Sequence, residues 1–287
     1  MRMGLLKYLV TTSLRSRNMW FWGIFWSLFW VIMGAFLFKV PPIYAKYLAR
    51  DYMDSWTVFV FAYMPSGVVI GYMYSLIYGT AGVAYLRRFG RLTPLKYVGS
   101  YYLAMLIVSS ILSAITYVLA LIIMYAGYRY HGIDVPFSSL FPNGSLGALG
   151  FMGAVSLNIV FMTSLLLTLY IVGLRLPKHL SRISFIPMLL VFLFFYLYFI
   201  KLNKIVILVS PITALIGLMY STYAGFNGVV NTVMLNSYNG TLMQPSAIVP
   251  YWEAALTVLL WTIALTSIGV KIVTSIRYAP PEEMREF

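Results

Sequence analysis

Long apolar runs separated by short polar segments dominate the chain. About 20 apolar residues suffice to carry a helix across the hydrocarbon core of a bilayer. Six runs reach that length, at residues 19–38, 56–84, 98–127, 147–172, 183–200 and 251–270. This pattern predicts an all-α integral membrane protein with six transmembrane helices, built as a single transmembrane domain over residues 1–287.

The segment 4–17, before the first run, has the pattern of a helix that lies at a membrane surface. Its leucines share one helical face, whereas Lys7, Thr11 and Arg15 share another. Such an amphipathic helix is typical of the interface between lipid and water. A cleaved signal peptide is the competing interpretation, but the run 19–38 has spanning length and no small-residue cleavage pattern after it. We therefore expect residues 19–38 to be the first transmembrane helix.

The stretch 205–224 is apolar but interrupted by Ser210-Pro211. Cytoplasmic loops of membrane proteins carry an excess of Lys and Arg. With six crossings and a cytoplasmic N-terminus, 14 of the 20 basic residues fall inside, against 11 if 205–224 crosses as well. We therefore predict a re-entrant element at 205–224 and a cytoplasmic tail at 271–287. Both termini are then cytoplasmic, in a multi-pass protein of the cell membrane.

The second and fourth runs contain residues that favour close helix packing. Pro65 and the pair Gly67 and Gly71 lie in the second run, and small residues recur at the start of the fourth, at Gly147, Gly150 and Gly153. Proline kinks a helix, and small residues let another helix approach closely. Simple packing and a mechanical role in movement both fit this pattern.

Composition agrees with the membrane assignment and limits the chemistry. The chain is 61% hydrophobic and 9% charged, with a net charge of +13, no Cys and a mean hydropathy of +0.86. Without Cys there is no disulfide, thiolate nucleophile or zinc-thiolate site. Because the basic residues follow the expected cytoplasmic loops, we interpret the positive charge as a signal of topology and not of nucleic-acid binding.

Residues for catalysis or ion coupling are missing from the predicted spans. No charged residue or His lies deep in any of them, and Glu253 is at the outer mouth of the last. Intramembrane charges are normally kept for ion or proton pathways, so a secondary transporter is disfavoured. No GxxxxGK[ST] motif is present, and His131 and His179 lie in predicted loops. We expect a chain that is not an enzyme, binds no cofactor or metal, and receives energy from a partner.

The segment 85–96, YLRRFGRLTPLK, is a predicted short amphipathic helix between the second and third spans. Its apolar side chains share one face: Tyr85, Leu86, Phe89 and Leu92. Its arginines share the opposite face: Arg87, Arg88 and Arg91. Pro94 ends the predicted helix. The arginines suit contacts with carboxylates of a protein partner. In the other interpretation they only keep the loop on the cytoplasmic side and bind anionic lipid headgroups.

This arrangement resembles the permease subunit of ABC-2 type ATP-binding cassette transporters. The likeness rests on the segment 4–17, the six spans, the broken run 205–224 and the local sequence RRFGRLTP at residues 87–94. It implies an elbow helix at 4–17, a cytoplasmic coupling helix at 85–96 and a re-entrant element at 205–224. The residues implied to contact the ATPase are Arg87, Arg88, Phe89, Arg91, Leu92 and Pro94.

The resemblance also implies partners and a function. Two permease copies, or this chain and a paralogue, would bind cytosolic ABC ATPase subunits, which would carry the ATP and Mg. Spans rich in Phe, Tyr, Leu and Met, with scattered Ser, Thr and Asn158, suit an amphipathic or lipid-like substrate, so we expect an exporter in contact with membrane lipids. The alternative is a channel or scaffold subunit that is not coupled to ATP.

Two further possibilities follow from the loops. An enzyme that modifies lipids would need the acidic residues outside the spans, but these match no known spacing: Asp51, Asp54, Asp134 and Glu253. The tripeptides at Asn143 and Asn239 fit the glycosylation acceptor pattern. They indicate loops on the outer side.

Overall fold

The computed structural model describes residues 3–37, 42–78, 93–175, 179–195, 203–230 and 248–275, and these ranges are helical almost throughout. The predicted all-α class is confirmed. The helices, numbered in chain order, are α1 Met3–Arg15, α2 Arg17–Leu37, α3 Pro42–Tyr78, α4 Pro94–Tyr130, α5 Gly144–Arg175, α6 Leu180–Ser184, α7 Ile186–Phe195, α8 Lys204–Val209, α9 Pro211–Ala224 and α10 Tyr251–Ser275. A short 3₁₀ helix, Phe137–Leu140, lies between α4 and α5.

Within the described ranges, five helical stretches are long and apolar enough to cross a membrane. They are Arg17–Leu37, Tyr52–Met73, Lys96–Tyr130, Phe137–Tyr170 and Tyr251–Lys271. The chain therefore has the architecture of a multi-pass membrane protein. The run 183–200, predicted as a further span, is described only as far as Phe195, in α6 and α7, and is not among these five.

The helix boundaries around the second and third runs differ from the prediction. Residues 42–55 precede the predicted second span at 56–84, yet they are helical and belong to α3. Pro94, expected to end the coupling helix, instead begins α4, with Thr93 as the N-cap whose Oγ1 accepts from the Lys96 amide at 3.3 Å. Proline fits the first turn of a helix because the N–H that it lacks has no partner there. Residues 94–96 thus extend the membrane helix α4.

Aromatic side chains hold α2 against α3 and α7. The Trp26 indole donates a hydrogen bond to the Tyr63 hydroxyl at 2.7 Å. The ring centroids of Trp22 and Phe185 are 5.1 Å apart in an edge-to-face arrangement. Edge-to-face aromatic pairs add to the energy of burial. Two turns of α2, Phe21–Phe25 and Met33–Leu37, are π-helical, which the regular apolar pattern of this run did not predict.

Glycines mark the closest helix contacts. A Cβ at Gly67 would collide with the Trp22 carbonyl oxygen, and one at Gly71 would lie 2.9 Å from Met19 Sδ. The predicted close approach at this pair is therefore confirmed, with the first turns of α2 as the partner. A Cβ at Gly127 in α4 would lie 2.6 Å from the Ala35 carbonyl oxygen. At this second point, the end of α2 touches the end of α4.

These contacts define two ends of the bundle. The basic end contains α1, the start of α2, the start of α4 and α6. The opposite end contains the end of α2, the end of α4, the starts of α5 and α10, and both ends of the pair formed by α8 and α9. We call the pair α8–α9 the hairpin and this end the hairpin end. Helices α5 and α10 run in the same direction. Ser164 of α5 contacts Thr266 of α10 through their hydroxyls at 3.1 Å, and about one turn further along both helices Leu167 lies against Gly269.

Candidate functional site

The residues predicted to contact an ATPase lie mostly outside the part of the chain that the structure describes. Arg87, Arg88, Phe89, Arg91 and Leu92 fall between Tyr78 and Thr93, in residues 79–92. Pro94, the remaining member of the set, begins α4. Asn239, predicted as a glycosylation acceptor, also lies outside the described residues. The site that the structure builds in detail is at the opposite, hairpin end.

A break separates the two helices of the hairpin, α8 and α9. Ser210, between them, is extended, with φ −97° and ψ 112°. Its Oγ accepts from the Thr213 amide at 3.3 Å and so caps α9. Pro211 follows as the first residue of α9 and has no N–H to donate to α8. The predicted interruption at Ser210-Pro211 is therefore a real break between two helices.

The break leaves the last carbonyl groups of α8 without helical donors. Side chains of α10 donate hydrogen bonds to these carbonyls instead. Thr257 Oγ1 donates to the Leu208 carbonyl at 3.2 Å, and Trp261 Nε1 donates to the Val209 carbonyl at 3.0 Å. In hydrocarbon an unpaired carbonyl costs several kcal/mol, about 2–7 by transfer measurements. These two donors therefore allow the backbone to break at this depth.

Both ends of the hairpin lie beside the first turn of α10. At its start, Lys204 Nζ is 3.1 Å from Glu253 Oε2. After its end, the Phe226 carbonyl accepts from the Tyr251 hydroxyl. The chain between them reaches Trp261 of α10, two turns further in, and returns. The hairpin thus enters the bundle and leaves it at the same end.

The end of α9 is also bound to the connection between α4 and α5. The Asn143 amide N–H donates to the Tyr223 carbonyl at 2.8 Å, and Asn143 Nδ2 donates to the Ala224 carbonyl at 3.3 Å. Gly225 adopts φ +84°, the left-handed conformation that ends many helices. Asn143, predicted as a glycosylation acceptor, thus acts as a cap on α9 through the nitrogen that would carry a glycan.

Asp54 is a charged residue that the sequence pattern placed outside the spans and that the structure buries at the end of one. The predicted second span begins at residue 56, but the stretch in the structure begins at Tyr52, so Asp54 lies in α3 within Tyr52–Met73 and is completely buried. Arg50 Nε, one turn earlier, is 3.8 Å from Asp54 Oδ2. Tyr52 donates to the Gly34 carbonyl near the end of α2 at 2.8 Å, so Asp54 belongs to the hairpin end and not to the middle of the bundle.

Two tyrosines connect the hairpin to the long helices. The Tyr223 hydroxyl at the end of α9 donates to the Leu140 carbonyl at 2.5 Å, and it lies 3.2 Å from the Tyr117 hydroxyl of α4. Burial raises the pKa of Tyr223 well above its usual range, and the nearby Tyr117 and Asp54 raise it further. Because the single hydroxyl proton of Tyr223 goes to the Leu140 carbonyl, the Tyr117 hydroxyl donates to the Tyr223 oxygen.

Asn158 on α5 has a structural task that the sequence did not reveal. Pro65 has no N–H, so the Phe61 carbonyl one turn earlier in α3 loses its helical donor. Asn158 is buried, and its Nδ2 donates to this carbonyl at 3.1 Å. From the sequence, a polar residue in these spans fits either the lining of a pathway or the packing of the bundle. This contact favours packing, because Asn158 replaces the hydrogen bond removed by Pro65.

A second polar group links α4, α5 and α10 nearer the basic end. The Tyr102 hydroxyl is 2.6 Å from both Ser164 Oγ and Thr266 Oγ1. Such hydroxyl contacts join helices in membranes at modest gain, about 1 kcal/mol each. Since the three groups satisfy one another, this cluster fastens the bundle.

The described residues contain no group of His, Cys, Asp and Glu that could hold a metal ion. No family model, curated protein or solved structure matches this chain.

Proposed function

We propose that this chain is the membrane-spanning permease subunit of an ATP-driven exporter of the ABC-2 type. A second copy or a paralogue completes the pathway, and separate cytosolic ATPase chains bind and hydrolyse ATP with Mg. The substrate is amphipathic or lipid-like. The amphipathic segment α1, the basic segment 85–92 and the broken hairpin before the last helix together support this assignment.

The hairpin is the single observation that carries the proposal. Helix α9 has 14 residues and extends only about 21 Å at 1.5 Å per residue, less than the roughly 30 Å hydrocarbon core. The contacts of Lys204 and Phe226 with the first turn of α10 favour entry and exit at one side. A re-entrant element at the outer end of the pathway fits this geometry.

Six crossings are part of this proposal, and the same contacts support that number. Phe185 packs on Trp22 at the basic end, whereas Lys204 pairs with Glu253 at the hairpin end. Since Phe185 and Lys204 lie at opposite ends, we expect the chain to cross once more between them, in addition to the five spans above. Because basic residues concentrate at the basic end, the positive-inside rule favours the cytoplasm on that side, with both termini cytoplasmic.

Helix α3 provides a route for mechanical coupling. Its last residue, Tyr78, leads into the segment that holds the predicted coupling arginines, and the helix packs against α9 and α7. ATP-driven movement of the ATPases would push on this segment, tilt α3 and displace the hairpin. The chain itself holds no nucleotide in this mechanism.

The test of this function is purification of the native complex from membranes and identification of its soluble partner. We expect a co-purifying ATPase. The variant Arg87→Glu with Arg91→Glu should abolish its association, because like charges then face the partner's carboxylates. The matched control is Arg129→Glu, a reversal at the hairpin end. Retention of the ATPase by the double variant, or absence of any nucleotide-hydrolysing partner from the wild-type complex, would contradict the proposal.

A further inference from the structure

Ion pairing is distributed unequally between the two ends of the molecule. The three ion pairs between described residues are all at the hairpin end, where every basic side chain that the structure describes has an acidic partner: Arg50 with Asp54, Arg129 with Asp134 and Lys204 with Glu253. At the basic end, Lys7, Arg15 and Arg17 form no ion pair within the described part of the chain and are exposed to solvent. We call these three residues the basic patch.

Helix α1 holds part of the basic patch in a fixed orientation. Leu9 and Ser13 are buried on one face of α1, 7% and 6% exposed, where the helix packs against α4. The opposite face, with Lys7 and Arg15, is therefore turned away from the bundle. Trp20 Nε1 donates to the Leu14 carbonyl at 2.7 Å and fixes the turn from α1 into α2. This hydrogen bond also holds Arg17 beside the end of α1.

Aromatic side chains place the basic patch at membrane level. Tyr8 and Trp20 are 65% and 42% exposed next to the basic residues. Tyr and Trp prefer the boundary between headgroups and acyl chains because their rings are apolar and their tips polar. Arg17 also begins the spanning helix α2. A soluble acidic protein would have to reach these cations at the level of the headgroups, where the lipid already lies.

We propose that the basic patch binds the anionic headgroups of phospholipids in the adjoining leaflet. The attraction of Lys and Arg to an anionic membrane surface corresponds to about a fivefold gain in affinity per side chain. The bound lipid anchors α1 at the interface and supplies the negative charge that the basic patch does not receive from any described residue. This inference does not depend on an ATPase partner.

The experiment uses the purified full-length chain in neutral detergent, titrated with phosphatidylglycerol or phosphatidylcholine and measured by native mass spectrometry. We expect the wild type to bind phosphatidylglycerol more tightly. The variant Arg15→Gln with Arg17→Gln should lose affinity for it on the order of 25-fold. The control Arg129→Gln removes an exposed arginine at the hairpin end and should bind as the wild type does.

Two outcomes would overturn the proposal. One is equal binding of both lipids by the wild type. The other is a double variant that keeps its affinity for phosphatidylglycerol but loses a soluble protein during native purification, which would assign the basic patch to that protein. A melting temperature within a few degrees of the wild type shows that the double variant remains folded. If it unfolds, the variant Lys7→Gln with Arg15→Gln takes its place. Both residues are exposed, so these substitutions do not change the buried face of α1.

Discussion

At the residue scale, backbone groups that lose their helical partners explain several polar contacts. Pro65 removes a donor inside α3, and the amide of Asn158 replaces it. At the end of α8, Pro211 and the extended Ser210 likewise leave carbonyl groups without helical donors. Trp261 and Thr257 of α10 donate to these carbonyls. In a bilayer no water is at hand to take these places. For a polar side chain in these spans, the first partner to look for is therefore a nearby backbone carbonyl that has lost its helical donor.

This pairing of Pro65 with Asn158 predicts a coupled pair of mutations. Asn158→Leu should destabilise the protein by about 1 kcal/mol, because the Phe61 carbonyl then has no donor. In a Pro65→Ala background the same change should cost close to nothing, since that substitution restores the missing N–H. Thermal unfolding of the four proteins in detergent measures the coupling. Equal costs in both backgrounds would show that Asn158 serves another purpose.

At the element scale, the hairpin depends on α10 more than on its own sequence. Helix α8 has only 6 residues, too few to form a stable helix alone. Its position is held by Lys204 with Glu253 at one end and by Trp261 at the other. Movement of α10 is therefore expected to displace the whole hairpin, because α9 packs on α10 as well as on α5 and α3. Ser210 is the point where the two helices separate.

The Trp261 contact gives a test at this scale. Trp261→Phe keeps an aromatic ring but removes the donor to the Val209 carbonyl, so we expect a loss of about 1–2 kcal/mol and a lower melting temperature. Trp252→Phe is the matched control: Trp252 is 65% exposed on the same helix. A similar loss in both variants would mean that the aromatic surface matters and the hydrogen bond does not.

At the scale of the whole molecule, the ends of the bundle differ in charge and construction. The hairpin end is closed by ion pairs, a short β-bridge between Val229 and Val249 and the cap by Asn143. The basic end carries the cations of α1 and leads to the segment 79–92. This asymmetry is what a protein with one fixed orientation in the membrane requires.

Cysteine labelling tests the arrangement of the ends. The chain contains no Cys, so single cysteines report one position each. We expect Ile205→Cys and Asn227→Cys to react with an impermeant maleimide from the same side of sealed vesicles, because both ends of the hairpin lie beside the start of α10. Tyr8→Cys should react only from the other side. Labelling of positions 205 and 227 from opposite sides would show that the hairpin crosses the membrane.

Each level of the structure was predictable to a different degree. The helical class and the spanning stretches follow from runs of apolar residues, since the transfer of about 20 such residues into lipid needs no particular neighbour. The break at Ser210-Pro211 and the close approach at Gly67 and Gly71 were predictable for a similar reason, as they depend on the local backbone. The boundary at Pro94 was missed although its signal is local, since Thr93 caps α4 and proline suits the first turn. The π-helical turns of α2 leave no mark in the apolar pattern.

The sequence by itself therefore determined that this is a helical membrane protein, where its apolar helices lie and which stretch of the chain is broken. The tertiary structure alone decided that Asp54 is buried beside the hairpin, that Asn158 serves Pro65, and that both ends of the hairpin meet the start of α10. The physical reason is that hydrophobic transfer acts on each segment separately, whereas a hydrogen bond or an ion pair requires two groups brought together from distant parts of the chain.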